Sequence, residues 1–170
     1  MVLHFGILTA SDRSAAGERL DETSPAIIKE IEAAKWQVLC KAVVPDDLIL
    51  IRETLKVWVS RHDLDVILTT GGTGFSPRDN TPEATLAVVE RLAPGLAEAM
   101  RFQSMQKTPY AMLSRGIAGI SRDVMIINLP GNPNGAVENF RIIQPVLFHA
   151  IELLRNDPES EKHHKINYLE

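Results

Sequence analysis

The sequence contains only one cysteine, Cys40, so no disulfide can form within the chain. Cys40 lies in the apolar run 38–44. We expect it to act there as a small buried hydrophobic side chain, and a nucleophilic thiol is the alternative. A disulfide-stabilised scaffold is therefore excluded.

Clusters of positive charge and long apolar segments are also missing. No five consecutive residues are Lys or Arg, the formal net charge is −4, and the isoelectric point is near 5.7. These features argue against a nucleic-acid-binding protein. No apolar run approaches the roughly 20 residues of a membrane helix, and no charged region precedes an apolar segment at the N-terminus. We therefore expect a cytoplasmic protein with neither a nucleic-acid nor a membrane partner.

The common nucleotide-binding signatures are absent as well. The glycine-rich stretch 69–82, TTGGTGFSPRDNTP, has no Lys after its glycines and lacks the spacing G-x-G-x-x-G. It follows a predicted strand at 64–68, and Thr81 and Pro82 are typical of the start of the next helix. Glycines let a ligand approach the backbone, and a helix N-terminus attracts anions. The stretch therefore predicts a phosphate-binding loop, and a purely structural turn is the alternative.

Two aspartates near strand ends are candidate metal ligands. Asp79 follows the glycines, and Asp46 follows the second predicted strand. Asp47 can cap the next helix, which would leave Asp46 free to face the site; the alternative is that Asp46 is itself the cap. Paired carboxylates can hold a hard cation such as Mg²⁺, and Arg78 could bind a phosphate through two hydrogen bonds.

Apolar periodicity predicts strands and helices in alternation along one domain, residues 1–155, followed by a charged tail, residues 156–170. This alternation indicates an α/β fold with a mostly parallel sheet covered on both sides. We expect both tryptophans in the core and a loop from 106 to 122. The predicted strands are 3–9, 36–44, 64–69 and 124–129. The predicted helices begin at Ser24, Asp46, Pro82, Gly95 and after Pro133, the third of them extending to Leu92.

Loops at the carboxyl ends of parallel strands meet in one crevice, where ligands bind. The loops in question contain residues 11–13, 45–47, 69–80 and 130–135. Asp12 and Arg13 could instead form a local ion pair, and the sequence Pro-Gly-Asn-Pro at 130–133 could be turn chemistry only.

Taken in order, these motifs resemble the MogA/MoaB-type molybdopterin adenylyltransferases, including the G domain of gephyrin. The resemblance spans nearly the whole chain and implies a three-layer α/β/α sandwich of the molybdopterin-binding, MogA-like type. It also implies a homotrimer, the transfer of AMP from MgATP to the terminal phosphate of molybdopterin, and a molybdenum insertase as a candidate partner. The matching residues are 11–13, 45–46, 69–79, 81–85, 108–115, 129–134 and Glu138.

The resemblance also implies roles for individual residues. Asp46 and Asp79 would be the essential acids and the Mg²⁺ ligands. Residues on the nucleotide side would be Thr70, Gly71, Gly72, Thr73, Gly74, Arg78, Asn132 and Pro133, and residues on the pterin side would be Ser11, Asp12, Ser104 and Ser114.

Two expectations remain open at the level of sequence. Relatives of the same fold bind the pterin without adenylylating it, so a molybdopterin-binding or carrier protein is the alternative function; the acid pair favours the enzyme. Segment 95–115 carries more apolar residues than one helix needs, which favours a subunit interface. These residues are Leu96, Met100, Met105, Tyr110 and Met112.

Overall fold

A six-stranded sheet forms the centre of the computed structural model, which describes residues 1–155. Residues 156–170, where the sequence predicts a charged tail, lie outside the described residues. The strands are β1 (His4–Ala10), β2 (Gln37–Val44), β3 (Val66–Thr70), β4 (Arg91–Leu92), β5 (Ala118–Ser121) and β6 (Val124–Leu129). The helices are α1 (Asp12–Ala15), α2 (Thr23–Ala33), α3 (Leu48–Val59), α4 (Thr81–Leu86), α5 (Pro94–Met105) and α6 (Pro133–Leu154), and a 3-10 helix covers Pro109–Leu113.

The sheet is mostly parallel, as the alternation of strands and helices predicted. The strand order is β2-β1-β3-β6-β5-β4. The first four of these strands run parallel, and β5 and β4 continue the sheet as antiparallel strands. β3 and β6 are buried along their whole length, which explains their largely apolar sequences.

Helices cover both faces of the sheet, so the three-layer α/β/α prediction is confirmed. One core cluster joins β1, β3 and β6 to α2, α5 and α6, and a second joins the opposite face of the sheet to α3 and α4. Trp58 is buried in the second cluster. Trp36 is half-buried at the edge of the first, where its ring stacks on Phe5 with the ring centroids 5.5 Å apart.

The region that follows the glycine-rich stretch 69–80, called the glycine loop from here on, differs from the prediction. The helix predicted to reach Leu92 ends at Leu86, and Leu92 belongs to strand β4. Strand β5 lies within the stretch 106–122 that was predicted as loop. Strands of two and four residues are too short to produce a recognisable apolar period. Both elements extend the sheet beyond β6.

Three smaller predictions are also corrected. Cys40 is half-buried because β2 is an edge strand whose exposure alternates. Helix α2 begins at Thr23, and the side chain that binds its first amides belongs to Asp21. Helix α4 includes Thr81, and Asn80 occupies the N-cap position. Within residues 1–155, none of the helices combines the length and the hydropathy needed to cross a bilayer.

Candidate active site

The loops that follow β1, β2, β3 and β6 meet at one edge of the sheet. The amide of Ser11 donates to the carbonyl of Val44 at 2.9 Å, and the amide of Gly71 donates to the carbonyl of Leu129 at 3.3 Å. A Cβ on Gly131 would lie 3.0 Å from the Cα of Gly71, so these two loops are in close contact. The structure therefore brings together the four strand-end loops that the sequence placed in one crevice.

Two glycines of the loop after β3 are required by the local backbone. Gly71 and Gly72 have φ angles of +87° and +63°, in the left-handed region that glycine favours. A Cβ on Gly71 would overlap with the carbonyl oxygen of Ala10. A Cβ on Gly72 would overlap with the hydroxyl of Thr81 and lie 3.2 Å from Oδ1 of Asp46. The loop is thus packed directly against the candidate acid.

Asp46 is held by the loop after β1. Its Oδ2 accepts from the amide of Asp12 at 3.0 Å, and its own amide donates to Oδ1 of Asp12 at 3.0 Å. The neighbouring Asp47 caps α3 by accepting from the amides of Ile49 and Leu50, both at 2.9 Å. Asp46 is therefore not the cap, and its Oδ1 faces the glycine loop.

The surroundings of Asp46 disfavour its negative charge. Burial raises the pKa of this carboxyl; the hydrogen bond from Asp12 opposes that effect, and the charges of Asp12 and Asp79 raise the pKa further. A bound cation would relieve both the repulsion and the loss of hydration. The site is electrostatically suited to a positive ligand.

Asp79 is hydrogen-bonded to another residue of the glycine loop, Ser76. Its Oδ2 accepts from the amide of Ser76 at 2.8 Å, and its amide donates to the carbonyl of Ser76 at 2.9 Å. A Cβ on Gly74 would lie 3.0 Å from Oδ2 of Asp79, so the carboxylate rests against the loop backbone. Asp46 and Asp79 thus lie against the same loop, at Gly72 and Gly74 respectively, and the charge of Asp79 raises the pKa of Asp46.

Arg78 contacts Asp12, a pairing that the sequence analysis did not foresee. Its Nε and Nη2 donate to the two carboxylate oxygens of Asp12 at 3.0 and 2.7 Å. The hydrogen bond from Arg78 lowers the pKa of Asp12. The family resemblance implied a nucleotide-side role for Arg78 and a pterin-side role for Asp12, whereas the structure joins the two residues, and Asp12 also contacts Asp46.

Two cavities flank the glycine loop. The larger has a volume of about 410 Å³ and includes Thr73, Gly74, Ser104 and Ser114 in its lining. The smaller has a volume of about 210 Å³ and includes Ser11, Thr70 and Gly71. Asn132 borders both, caps α6 through Gly135, and is followed by Pro133 as the first residue of that helix. Of the predicted site residues, those that line these two cavities are Ser11, Thr70, Gly71, Thr73, Gly74, Ser104, Ser114 and Asn132. Six line neither of them: Asp12, Asp46, Gly72, Arg78, Asp79 and Pro133.

Sequence reasoning gave no role to two polar residues at the site. Asp21 lines the smaller cavity and accepts from Thr9 and from the first amides of α2. Arg115 binds the glycine loop from the side of the larger cavity. The carbonyls that Arg115 binds are 41 and 36 positions away, so only a fold could reveal those contacts. The amides that Asp21 binds are two and three positions away, and an Asp before a helix is a local capping signal. Arg115 did lie in the matched stretch 108–115, but without a stated function.

The residues present fit a magnesium ion that is shared with a substrate. Within residues 1–155, no group of three or more His, Cys, Asp or Glu side chains is arranged to hold a metal by itself. Mg²⁺ is commonly held by one or two carboxylates, with phosphate oxygens and water as its other ligands. Asp46 and Asp79 match that donor set. The hydroxyl of Thr81, which like Oδ1 of Asp46 would meet a Cβ on Gly72, is buried with no hydrogen-bond partner among the described residues.

Comparison with known protein families produced a match that covers most of this chain. The family described as "Probable molybdopterin binding domain" matches residues 6–149. That range contains the glycine loop, both candidate acids and the boundaries of both cavities.

Individual relatives agree with the family match. The Drosophila melanogaster molybdenum cofactor synthesis protein cinnamon is 41% identical over 90% of this chain, which spans only 26% of the fly protein. A molybdopterin adenylyltransferase of Helicobacter pylori is 36% identical, with 89% of this chain and 88% of that protein covered. The crystal structure of the molybdopterin biosynthesis enzyme MoaB of Thermus thermophilus superimposes with a TM-score of 0.87 at 46% identity, covering 92% of this chain and 99% of that one.

Proposed function

Because this chain belongs to the family of probable molybdopterin-binding domains, we propose that it is a molybdopterin adenylyltransferase of molybdenum cofactor biosynthesis. It transfers AMP from MgATP to the terminal phosphate of molybdopterin and releases pyrophosphate. Relatives that carry this name and match over most of both chains support the assignment. The placement of Asp46 and Asp79 against a glycine loop between two cavities is the observation that carries it.

The larger cavity is the proposed molybdopterin site. Ser104 and Ser114 line it, together with Asn139, whose side-chain nitrogen donates to the hydroxyl of Ser104 at 3.3 Å. Asn132 stands at its border with the smaller cavity. A terminal phosphate in the larger cavity would therefore face the glycine loop.

The smaller cavity and the glycine loop form the proposed nucleotide site. Thr70 and Gly71 line the cavity beside Ser11, which the family resemblance had placed on the pterin side. From Gly71, the backbone continues through Gly72 to Thr73 and Gly74, which line the larger cavity. Pro133, with no amide hydrogen, begins α6 next to Asn132 at the boundary of the two sites. The two substrates thus meet across the loop.

The reaction needs positioning more than proton transfer. A phosphate oxygen of molybdopterin attacks the α-phosphorus of ATP, and the bond from that phosphorus to the bridging oxygen of pyrophosphate breaks. The second pKa of a phosphate monoester is about 6, so the nucleophile is largely ionised at neutral pH. Mg²⁺ supplies neutralisation of the charge on the leaving pyrophosphate. Asp46 and Asp79 would hold that ion, and Arg78, whose Nε and Nη2 now donate to Asp12, would supply the same two donors to a phosphate.

Three further features belong to the proposal. The protein assembles as a homotrimer through the surface of α5 and the 3-10 helix, where Phe102, Tyr110 and Met112 are exposed. It acts in the cytoplasm. Its adenylylated product passes to a molybdenum insertase, because an activated pterin is useful only to an enzyme that inserts the metal.

Pyrophosphate release separates this function from the carrier alternative. We expect release from ATP that depends on both Mg²⁺ and molybdopterin, and formation of adenylylated molybdopterin in equal amount. A pterin carrier would bind molybdopterin by calorimetry but release no pyrophosphate. A parent protein that binds molybdopterin and never MgATP would refute the proposed activity.

A further inference from the structure

Arg115 binds the glycine loop at two places, next to its glycines and at Asp79. Its backbone amide donates to the carbonyl of Thr73 at 2.8 Å, and its Nε donates to the carbonyl of Gly74 at 2.6 Å. Its Nη2 donates to the carbonyl of Asp79 at 2.6 Å. Residues 73, 74 and 79 are therefore bound by one side chain and one amide that come from a different segment of the chain.

Glu83 fixes the guanidinium that makes these contacts. It lies in the first turn of α4 and accepts from both terminal nitrogens of Arg115. A planar guanidinium can bind a carboxylate on one edge while it donates to carbonyls on another. Lysine has one nitrogen and cannot make all of these contacts together. The arrangement therefore requires the shape of arginine as well as its charge.

The backbone of Asp79 is one of the groups that Arg115 binds. Within the loop, the Asp79 carboxylate accepts from Ser76, an exposed residue of the same loop. The contacts of Arg115 with the carbonyls of Gly74 and Asp79 connect this loop to the segment that contains Ser114, in the wall of the larger cavity. Without them, segment 74–79 would keep its internal contacts between residues 76 and 79, the ion pair of Arg78 with Asp12, and its flanking elements.

We propose that Arg115 is a positioning residue for adenylyl transfer, which holds Asp79 in the geometry needed beside Asp46. This inference rests on the proposed function and extends it to a residue that does not touch the reacting atoms. Loss of a group that orients a metal ligand typically lowers metal affinity or activity by about 10- to 100-fold. The effect should fall on kcat and on the Mg²⁺ concentration for half-maximal rate, with little change in KM for molybdopterin.

The test compares Arg115→Met and Arg115→Lys with Arg141→Met. Arg141 makes a bidentate ion pair with Glu30, with both distances 2.8 Å, on α6 away from the site. We expect Arg115→Met to lower kcat by about 100-fold and Arg115→Lys by about 10-fold, both at saturating substrates. Arg141→Met should keep parent kcat. Arg115→Lys retains the positive charge, so it remains informative if Arg115→Met does not fold.

Hydrogen exchange of the loop amides gives a second readout that needs no substrate. In the Arg115 variants, peptides covering 73–79 should exchange faster than in the parent while the β3 and β6 peptides are unchanged; Arg141→Met should match the parent throughout. Parent-like exchange, or faster exchange with parent kcat, would overturn the inference. If the parent itself released no pyrophosphate, the proposed function would fail, and loop exchange with Mg²⁺ titration of the free protein would still decide whether Arg115 positions Asp79.

Discussion

Asp46 and Asp47 show how two identical side chains take different roles one residue apart. Asp47 satisfies the first amides of α3, whereas Asp46 lies between Asp12 and the glycine loop, with Asp79 close enough to raise its pKa. The charge of Asp47 is favourable at a helix N-terminus. The charge of Asp46 is not, because burial and two like charges act against it. A charge maintained at the expense of stability is expected at a functional site.

Asp46→Asn should therefore stabilise the protein and inactivate it. Asparagine keeps an oxygen that can accept from the amide of Asp12 but removes the repulsion. At neutral pH without Mg²⁺ we expect Tm to rise by about 1–3 °C, which corresponds to less than about 1 kcal/mol for a chain of this size. Adenylyl transfer should fall by more than about 100-fold, because a metal ligand is lost. Calorimetry and pyrophosphate release measure the two effects, and Asp79→Asn should show the same loss of activity.

The gain in Tm from Asp46→Asn should depend on pH, and the sign of that dependence follows from the raised pKa of Asp46. The folded pKa of Asp46 is raised above 3.8, so the folded state binds more protons than the unfolded state in the pH window from about 3.8 up to that raised value. The contribution of Asp46 to stability is thus present at low pH and lost as pH rises through the window. The Tm difference between Asp46→Asn and the parent should vanish in acid and grow toward neutrality. A constant difference would contradict the assignment of repulsion to this carboxyl.

Gly72 offers a second prediction for a single residue. Alanine there would carry an unfavourable φ of +63° and overlap with Thr81. Gly17 is a matched control, since its φ is +74° and a Cβ would meet nothing within 4 Å. We expect Gly17→Ala to cost about 1 kcal/mol in the free energy of unfolding and Gly72→Ala to cost about 2–3 kcal/mol. Denaturant unfolding measures both, and Thr81→Ala should recover part of the second loss. Equal costs for the two glycines would contradict the overlap.

Elements with a long apolar period could be predicted from the sequence, and those without one could not. Helices α3 and α6 have buried residues at helical spacing, β1, β3 and β6 are buried almost throughout, and exposure alternates along β2. The predicted α4 was too long because Val88 and Val89 continue its apolar pattern. In the structure, the amides of both residues donate to the carbonyl of Thr85, where the helix ends. The convergence of the four strand-end loops could be predicted because the carboxyl ends of parallel strands lie at the same edge of a sheet. The pairing of Arg78 with Asp12 joins residues 66 positions apart, which no local pattern contains.

The cap of α3 gives a prediction at the scale of one element. Asp47→Ala removes the acceptor for the amides of Ile49 and Leu50, at a cost of about 1 kcal/mol in the free energy of unfolding. That corresponds to a fall in Tm of about 2–4 °C. Since Asp47 is not proposed to bind metal, kcat should stay within about twofold of the parent at a temperature where both are folded. Loss of activity at unchanged Tm would instead place Asp47 in the site.

For the whole molecule, the distribution of exposed apolar residues argues for self-association. Met100 is buried in the core and Leu96 packs against it, so two of the five residues predicted to face a neighbour serve the chain's own interior. Tyr110 and Met112 are exposed in the 3-10 helix, and Phe102 is exposed on α5, the helix that the 3-10 helix contacts. Exposed apolar side chains grouped in this way are typical of subunit interfaces.

The trimer prediction can be tested with two matched substitutions. Phe102 on α5 and Val57 on α3 are 64% and 63% exposed, so an aspartate at either position places a charge on a surface of equal accessibility in the single chain. Light scattering of the parent at micromolar concentration should report three times the chain mass of 18.8 kDa. Phe102→Asp should shift the mass toward that of one chain, because burying an unpaired charge at an interface is strongly unfavourable. Val57→Asp should leave the mass unchanged. A parent that has the mass of a single chain would refute the trimer, and dissociation by Val57→Asp alone would move the interface to the opposite face of the sheet.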